Sequence, residues 1–183
     1  MSEARVSGAV VLDQRRAYAE LVGPEALEAA LATLPADRRR EYDELLAVSW
    51  CRCTTITMVI EAVAAEVGRE PLELDAEVVR VGVQKTFGTL WRLLLRMASD
   101  GQIVTRAPVL YAKTYDKDAF SARMIGPGHA ECVLTGFPEI HDLDLQGLGI
   151  GVSEALRVSG RTDVRHAATR TADGARIDLR WRV

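Results

Sequence analysis

Apolar residues in this chain recur every three or four positions through the first half and beyond it, and every second position near the C terminus. That change of period is the strongest structural signal in the sequence. Val6–Leu12 is a short apolar run that fits either a strand or the approach to a helix. Asp13–Val22 reads as a helix stopped at Gly23-Pro24, where the proline opens the next one. Glu25–Leu34 then places Leu27, Ala30, Leu31 and Leu34 on one face, and Pro35 with Asp37 opens a helix through Leu46, with Tyr42, Leu45 and Leu46 inward. Thr54 and Thr55 are N-cap candidates for a helix to Val67, along which Ile56, Val59, Ile60, Val63 and Val67 share a face. A long helical region is expected from Asp75 to about Ser99, broken near Gly88 and closed by Asp100-Gly101. Its apolar residues, Val78, Val79, Phe87, Leu90, Trp91, Leu94 and Met97, predict the most deeply buried helices. Val104–Tyr115 fits no single period, although Pro108 suits a first helical turn.

In the C-terminal half, Phe120–Gly126 and His129–Gly136 flank Pro127-Gly128 as a hairpin. Leu143–Val158 returns to helix, with Leu145, Leu148, Val152 and Leu156 on one stripe. Thr162–Arg170 and Ala175–Val183 pair across a turn at Asp173-Gly174. The last strand alternates throughout: Ile177, Leu179, Trp181 and Val183 point to the core, and Arg176, Asp178, Arg180 and Arg182 to water. These elements predict an α+β fold, a helical N-terminal half packed on a four-stranded antiparallel sheet formed by the C-terminal half. No linker or repeat interrupts the 183 residues, so a single domain over 1–183 is expected.

With 48 % apolar residues the chain can fill one fair-sized core. A net charge of −3 and 5 % aromatics argue against a general affinity for nucleic acid. No apolar run approaches the ~20 residues of a spanning helix, and neither a signal peptide nor an even cysteine count is present, so a cytoplasmic protein with reduced thiols is expected.

Candidate chemistry is sparse. Cys51-Arg52-Cys53 has no second ligand pair at zinc-site spacing, and Cys132 lies far along the chain; packing at the start of a helix, one thiol buried and one half-exposed, is the reading adopted. Gly147-Leu148-Gly149-Ile150-Gly151 follows no strand, so it fits close helix packing better than a phosphate loop. Asp37–Glu41 reads as a solvated charge cluster, and Asp142 or Asp144 as a cap of the late helix. His129 and His166 lie on strands, facing each other or solvent. No nucleophile, base and orienting acid come together, which predicts a chain that is not an enzyme, with no catalytic residues, no metal ligands and no cofactor.

Taken in order, "VSGAVVL", "GPEALEAALATLP", "LLAVSW", "VVRVGVQKTFGTLWRLLL", "TRAPVLYAKTYD", "DLQGLGIGVSEALRVSG" and "DGARIDLRW" resemble an uncharacterised myxobacterial family related to the four-vinyl-reductase sensor domain, the heme-nitric-oxide-binding domain and the TRAPP tethering subunits. The resemblance implies a small-molecule or lipid pocket between helices and sheet, lined here by Phe87, Leu90, Trp91, Leu94 and Met97, and dimers built through helices, with Gly147 and Gly151 as interface candidates. It also implies heme, held by a histidine on a mid-chain helix and by a Tyr-x-Ser-x-Arg motif. This chain has no histidine before His129, and Tyr111-Ala112-Lys113 and Tyr115-Asp116-Lys117 lack the serine. Vinyl-reductase-type domains carry cysteines in the last hairpin, and Ala168–Ala175 contains none. The expectation is a non-enzymatic sensory or adaptor module, homodimeric, with a protein partner or a hydrophobic small molecule as its ligand; the alternative is a small-molecule or lipid carrier.

Overall fold

Ser7 and Gly8 mark where extended chain turns into helix, and they settle the ambiguity of the first apolar run. In the computed structural model, which describes residues 3–86, 95–116 and 119–182, β1 (Arg5–Ser7) is followed directly by α1 (Gly8–Val22). The chain divides into two compact units, Met1–Gly82 with Thr114–Asp116, and Val83–Lys113 with Lys117–Val183.

In the first unit, α2 (Pro24–Ala32) and α3 (Ala36–Asp43) precede β2 (Trp50–Arg52), α4 (Cys53–Glu66) and the start of α5 (Pro71–Thr86). Leu27, Ala30 and Leu31 of α2 and Ile56, Val59, Ile60 and Val63 of α4 are buried together, as their spacing requires. The ribbon of β1 and β2 pairs Arg5 with Arg52, Val6 with Cys51 and Ser7 with Trp50. Tyr115 bridges to Val6, and the Asp116 carboxylate accepts from the Arg5 backbone N–H at 2.7 Å and its Nε at 2.6 Å.

Several expectations change here for local reasons. α3 stops at Asp43, and Leu46 is 64 % exposed rather than inward. The Ser49 hydroxyl accepts from the Leu46 N–H at 3.0 Å and donates to the Leu46 carbonyl at 2.7 Å, folding Leu46–Ser49 into a turn. α4 begins at Cys53, before both threonines, with no side-chain cap. Thr54 hydrogen-bonds Glu3, and Thr55 donates to Glu41. Glu41 also accepts from the Arg52 backbone N–H and from its Nε at 2.9 Å. The charge cluster of α3 is thus partly a tie between α3, β2 and α4, and the Glu41 carboxyl lies below its ordinary pKa because these donors outweigh burial, which acts the other way. α5 starts at Pro71, four residues before Asp75, with proline in the first turn, where its missing N–H costs nothing.

In the second unit the short α6 (Asp100–Val104) corrects the reading of Asp100-Gly101 as a helix end. Ser99 and Gln102 form a capping box, each side chain bonded to the other's backbone N–H, so a helix begins there. α7 (Ala107–Thr114) holds Pro108 in its first turn. The sheet runs β3 (Phe120–Gly126), β4 (His129–Thr135), β6 (Gly174–Arg182), β5 (Thr162–Thr171), antiparallel throughout, with α8 (Asp142–Val158) packed chiefly on β5. The fold class is therefore the expected one. Ala130, Cys132 and Leu134 of β4 and Ile177, Leu179 and Trp181 of β6 fill the inner face. Arg161 fastens this core. Its guanidinium donates to Asp100 Oδ1 at 2.8 Å and to the carbonyls of Ala98 at 2.7 Å and Ser159 at 2.9 Å, while Asp100 Oδ2 accepts from Trp181 Nε1 at 3.0 Å.

Candidate functional site

Four of the five residues read as pocket lining, Phe87, Leu90, Trp91 and Leu94, lie outside the described residues; the fifth, Met97, is 80 % exposed, not buried as its pattern suggested. In the first unit an open cleft of about 350 Å³ lies between α1 and α2, floored by Leu12, Leu27 and Leu31 and edged by Arg15, Arg16 and Glu28. Beside it the Arg15 guanidinium stacks 5.3 Å from the Tyr42 ring. The hydroxyls of Tyr18 and Tyr42 are enclosed and make no hydrogen bond. Burial holds both phenols above their ordinary pKa, and the nearby Asp75 adds to the effect at Tyr18. They are neutral and oriented for no evident chemistry.

The cysteines pack. Cys51 on β2 and Cys53 at the first position of α4 are both buried, rather than one of them half-exposed, and Cys132 is buried on β4; none of the three is in a disulfide. Strand alternation turns Cys51 inward and sets Cys53, two residues on at the start of α4, on the same side. Burial pushes the thiols of Cys51 and Cys132 up to about 12, with Glu41 and Glu131 adding to the shift. Such thiols stay protonated and are poor nucleophiles and poor ligands. Among the described residues no group of three or more His, Cys, Asp or Glu is placed to hold a metal.

The histidines are all in the second unit, each engaged in the architecture. His129 Nε2 meets Asp178 Oδ2 at 2.6 Å on the outer face of the sheet. His166 lies on the inner face, its Nδ1 2.9 Å from Ser153 Oγ, so the two strand histidines face neither each other nor the same side. Its ring lies against Gly149: a β-carbon there would stand 2.7 Å from the His166 ring. The close helix-on-sheet approach expected of the glycine run thus falls on Gly149, while Gly147 and Gly151 are half-buried. Leu148 and Val152, expected inward, are also half-buried; the buried residues of α8 include Leu145, Gly149, Ile150, Ser153 and Leu156.

His141, not an aspartate, caps α8, its Nδ1 accepting from the Leu143 N–H at 3.3 Å. Asp142 is turned outward and pairs with Arg170 at 2.8 Å. Asp144 is only 8 % exposed, and burial pushes its carboxyl up to about 7. This group was not legible in the sequence, since a first-turn aspartate looks like any other. Its folded pKa lies above the unfolded value, so the folded state holds the extra proton. Stability from it is full below about pH 4 and is lost as pH rises toward 7. Asp144→Asn should remove that slope and stabilise the protein at pH 8 by on the order of 2 kcal/mol, the helix N-terminus offsetting part of the desolvation. Urea midpoints of both proteins from pH 4 to 8 check this; parallel curves would contradict it.

No family model matches the chain, and no curated protein matches it. Solved structures do. The chain is similar to the Fe(II) unliganded H-NOX protein from K. algicida, with a TM-score of 0.70 over 97 % of each chain at 7 % identity. An oxygen-binding H-NOX domain related to soluble guanylate cyclases, in its oxygen complex, gives a TM-score of 0.66 at 13 % identity, covering 96 % of this chain and 94 % of that one. A variant H-NOX protein from S. oneidensis in the Fe(II) ligation state gives 0.69 at 9 % identity, covering 97 % and 96 %. The chain has a heme-NO-binding-like fold.

The residues present do not fit heme held as the resemblance implies. No mid-chain helix offers a histidine, and the three that exist cap α8, pair with Asp178 on the outer face, or bond Ser153 beneath α8. The buried thiols of Cys51 and Cys132 are protonated.

Proposed function

We propose that this chain is a sensory or adaptor module that keeps the H-NOX-like architecture and works without heme and without catalysis. One observation carries the reading: a full-length match to heme-binding folds in a chain whose histidines are all engaged on or beside the C-terminal sheet. The known structures include an oxygen complex, and a ligand-responsive role is the natural function to carry over from that architecture. Kinship with the vinyl-reductase and TRAPP-type domains, and with the myxobacterial family, belongs to the same proposal, as does a cytoplasmic setting; among the described residues no helix is long and apolar enough to cross a membrane. The module acts as a homodimer, with α8 around Gly147 and Gly151 as the candidate contact.

Native mass spectrometry of freshly purified protein tests this. The expected species is a dimer of unmodified chains. A retained hydrophobic small molecule would favour the carrier reading, in which the pocket itself is the function. A monomer at high micromolar concentration would refute the dimer.

A further inference from the structure

The modest net charge conceals a division. The first unit carries nine arginines, no lysine and sixteen carboxylates, a net −7; the second carries fourteen lysines and arginines against ten carboxylates, a net +4. Much of that excess is concentrated on the outer face of the four-stranded sheet. On its central level Arg165 of β5 stands directly opposite Arg180 of β6. Like charges directly opposite across strands destabilise a sheet. Arg165 is exposed and, among the described residues, its side chain has no ion-pair or hydrogen-bond partner. The carboxylates on this face are oversubscribed: Asp178 serves both His129 and Arg180, and Glu131 serves both Arg123 and Arg176. The side chains of Arg180 and Arg182 remain 69 % and 80 % exposed, even though Arg182 pairs with the exposed Asp163 at 3.1 Å.

We infer that the outer face of this sheet is a docking surface for an acidic protein partner, a helix or strand presenting spaced carboxylates to Arg165, Arg180 and Arg182. Charge complementarity selects the sign, and the pattern selects the class. Glu131 and Asp178 lie within the basic field, where they would repel a uniform polyanion such as nucleic acid or an anionic bilayer, whereas a discrete protein surface can place its carboxylates on the arginines alone. The aromatic residues of β3 and β6, Phe120 and Trp181, are buried on the inner side, so they are not there for bases to stack on. The arginines spring from backbone positions about 4.8 Å apart across strands and about 6.8 Å apart along one, a spacing close to that of carboxylates one helical turn apart, and each guanidinium can take a carboxylate in bidentate fashion. The cross-strand repulsion is relieved when the partner binds. The surface is independent of whether the module senses a ligand.

The test is an NMR titration of the full chain with a synthetic helical peptide bearing glutamates at i, i+4 spacing, beside its glutamine counterpart, a DNA duplex and phosphatidylserine vesicles. The expected result is shifts confined to the outer-face residues of β4, β5 and β6, with the glutamate peptide only, weakening about tenfold between low and physiological salt. R165E with R180E should abolish the shifts, while the charge-matched pair R40E with R106E leaves them. Should the reversals fail to fold, Arg165→Gln with Arg180→Gln serves in their place, expected to weaken binding at least fivefold. Absence of outer-face shifts, shifts indifferent to these substitutions, or tighter binding of DNA or vesicles would overturn the inference.

Discussion

Replacing Arg161 by methionine should cost about 3–5 kcal/mol, the largest loss from any single substitution considered for this chain. Arg161 is nearly enclosed, its side chain 8 % exposed, and it does two things at once. Its guanidinium neutralises Asp100, itself largely buried, and caps the carbonyls of Ala98 and Ser159. Methionine fills much of the same volume but leaves a carboxylate and those carbonyls without their partner. A buried ion pair need add little net stability over an apolar isostere, but removing one member strands the other. Asp100 would keep its bond from Trp181 Nε1, so the damage should begin at the junction of α6 with the sheet and spread along β6. In urea the midpoint should fall without a change in slope, and amide exchange should accelerate first in β5 and β6. An unfolding free energy within about 1 kcal/mol of the parent's would show that the pair is replaceable.

Gly8→Ala should be the next most damaging change, at about 3 kcal/mol, even though alanine is the better helix former by up to about 1 kcal/mol. A β-carbon at Gly8 would run into the Leu46 carbonyl oxygen and stand 2.9 Å from that of Ser49. Both are backbone atoms, and the turn that holds them is fixed by the Ser49 hydroxyl and by the Gly8 N–H, which donates to the Ser49 carbonyl at 2.8 Å. Relief would therefore pull apart the start of α1 and the turn before β2. Gly101→Ala is the matched control, since nothing lies within 4 Å of its β-carbon position inside α6; it should be neutral or slightly stabilising. Equal thermal midpoints for the two variants would contradict the close approach at Gly8.

The two substitutions also mark where sequence patterning stops. Periodicity located α2, α4 and α8 and the four strands of the sheet, because each buries one face and must repeat at its own period. It did not locate the β1–β2 ribbon, since three-residue strands carry too few positions to show alternation. It missed Ser99 as a cap and set Met97 in the core, because a local hydrogen bond between Ser99 and Gln102 decides that boundary and no hydrophobic pattern reports it. Side-chain pairings across long separations, Arg161 with Asp100 or Glu41 with Arg52, are likewise set by the fold and have no local signature. On the functional side, the positions of the histidines were legible from the start. What each one does became visible only with Asp178, Leu143 and Ser153 placed beside them.

The central claim, an H-NOX-like fold that works without heme, is tested most directly by expressing the full chain with heme precursor supplied, then recording its Soret absorbance and iron content after purification and after titration with hemin. The account predicts no stoichiometric iron, and on titration only the spectrum of free hemin plus weak, unsaturable binding. A one-to-one complex with a shifted Soret band would contradict it, and loss of that band in a histidine variant would identify the ligand the present reading excludes.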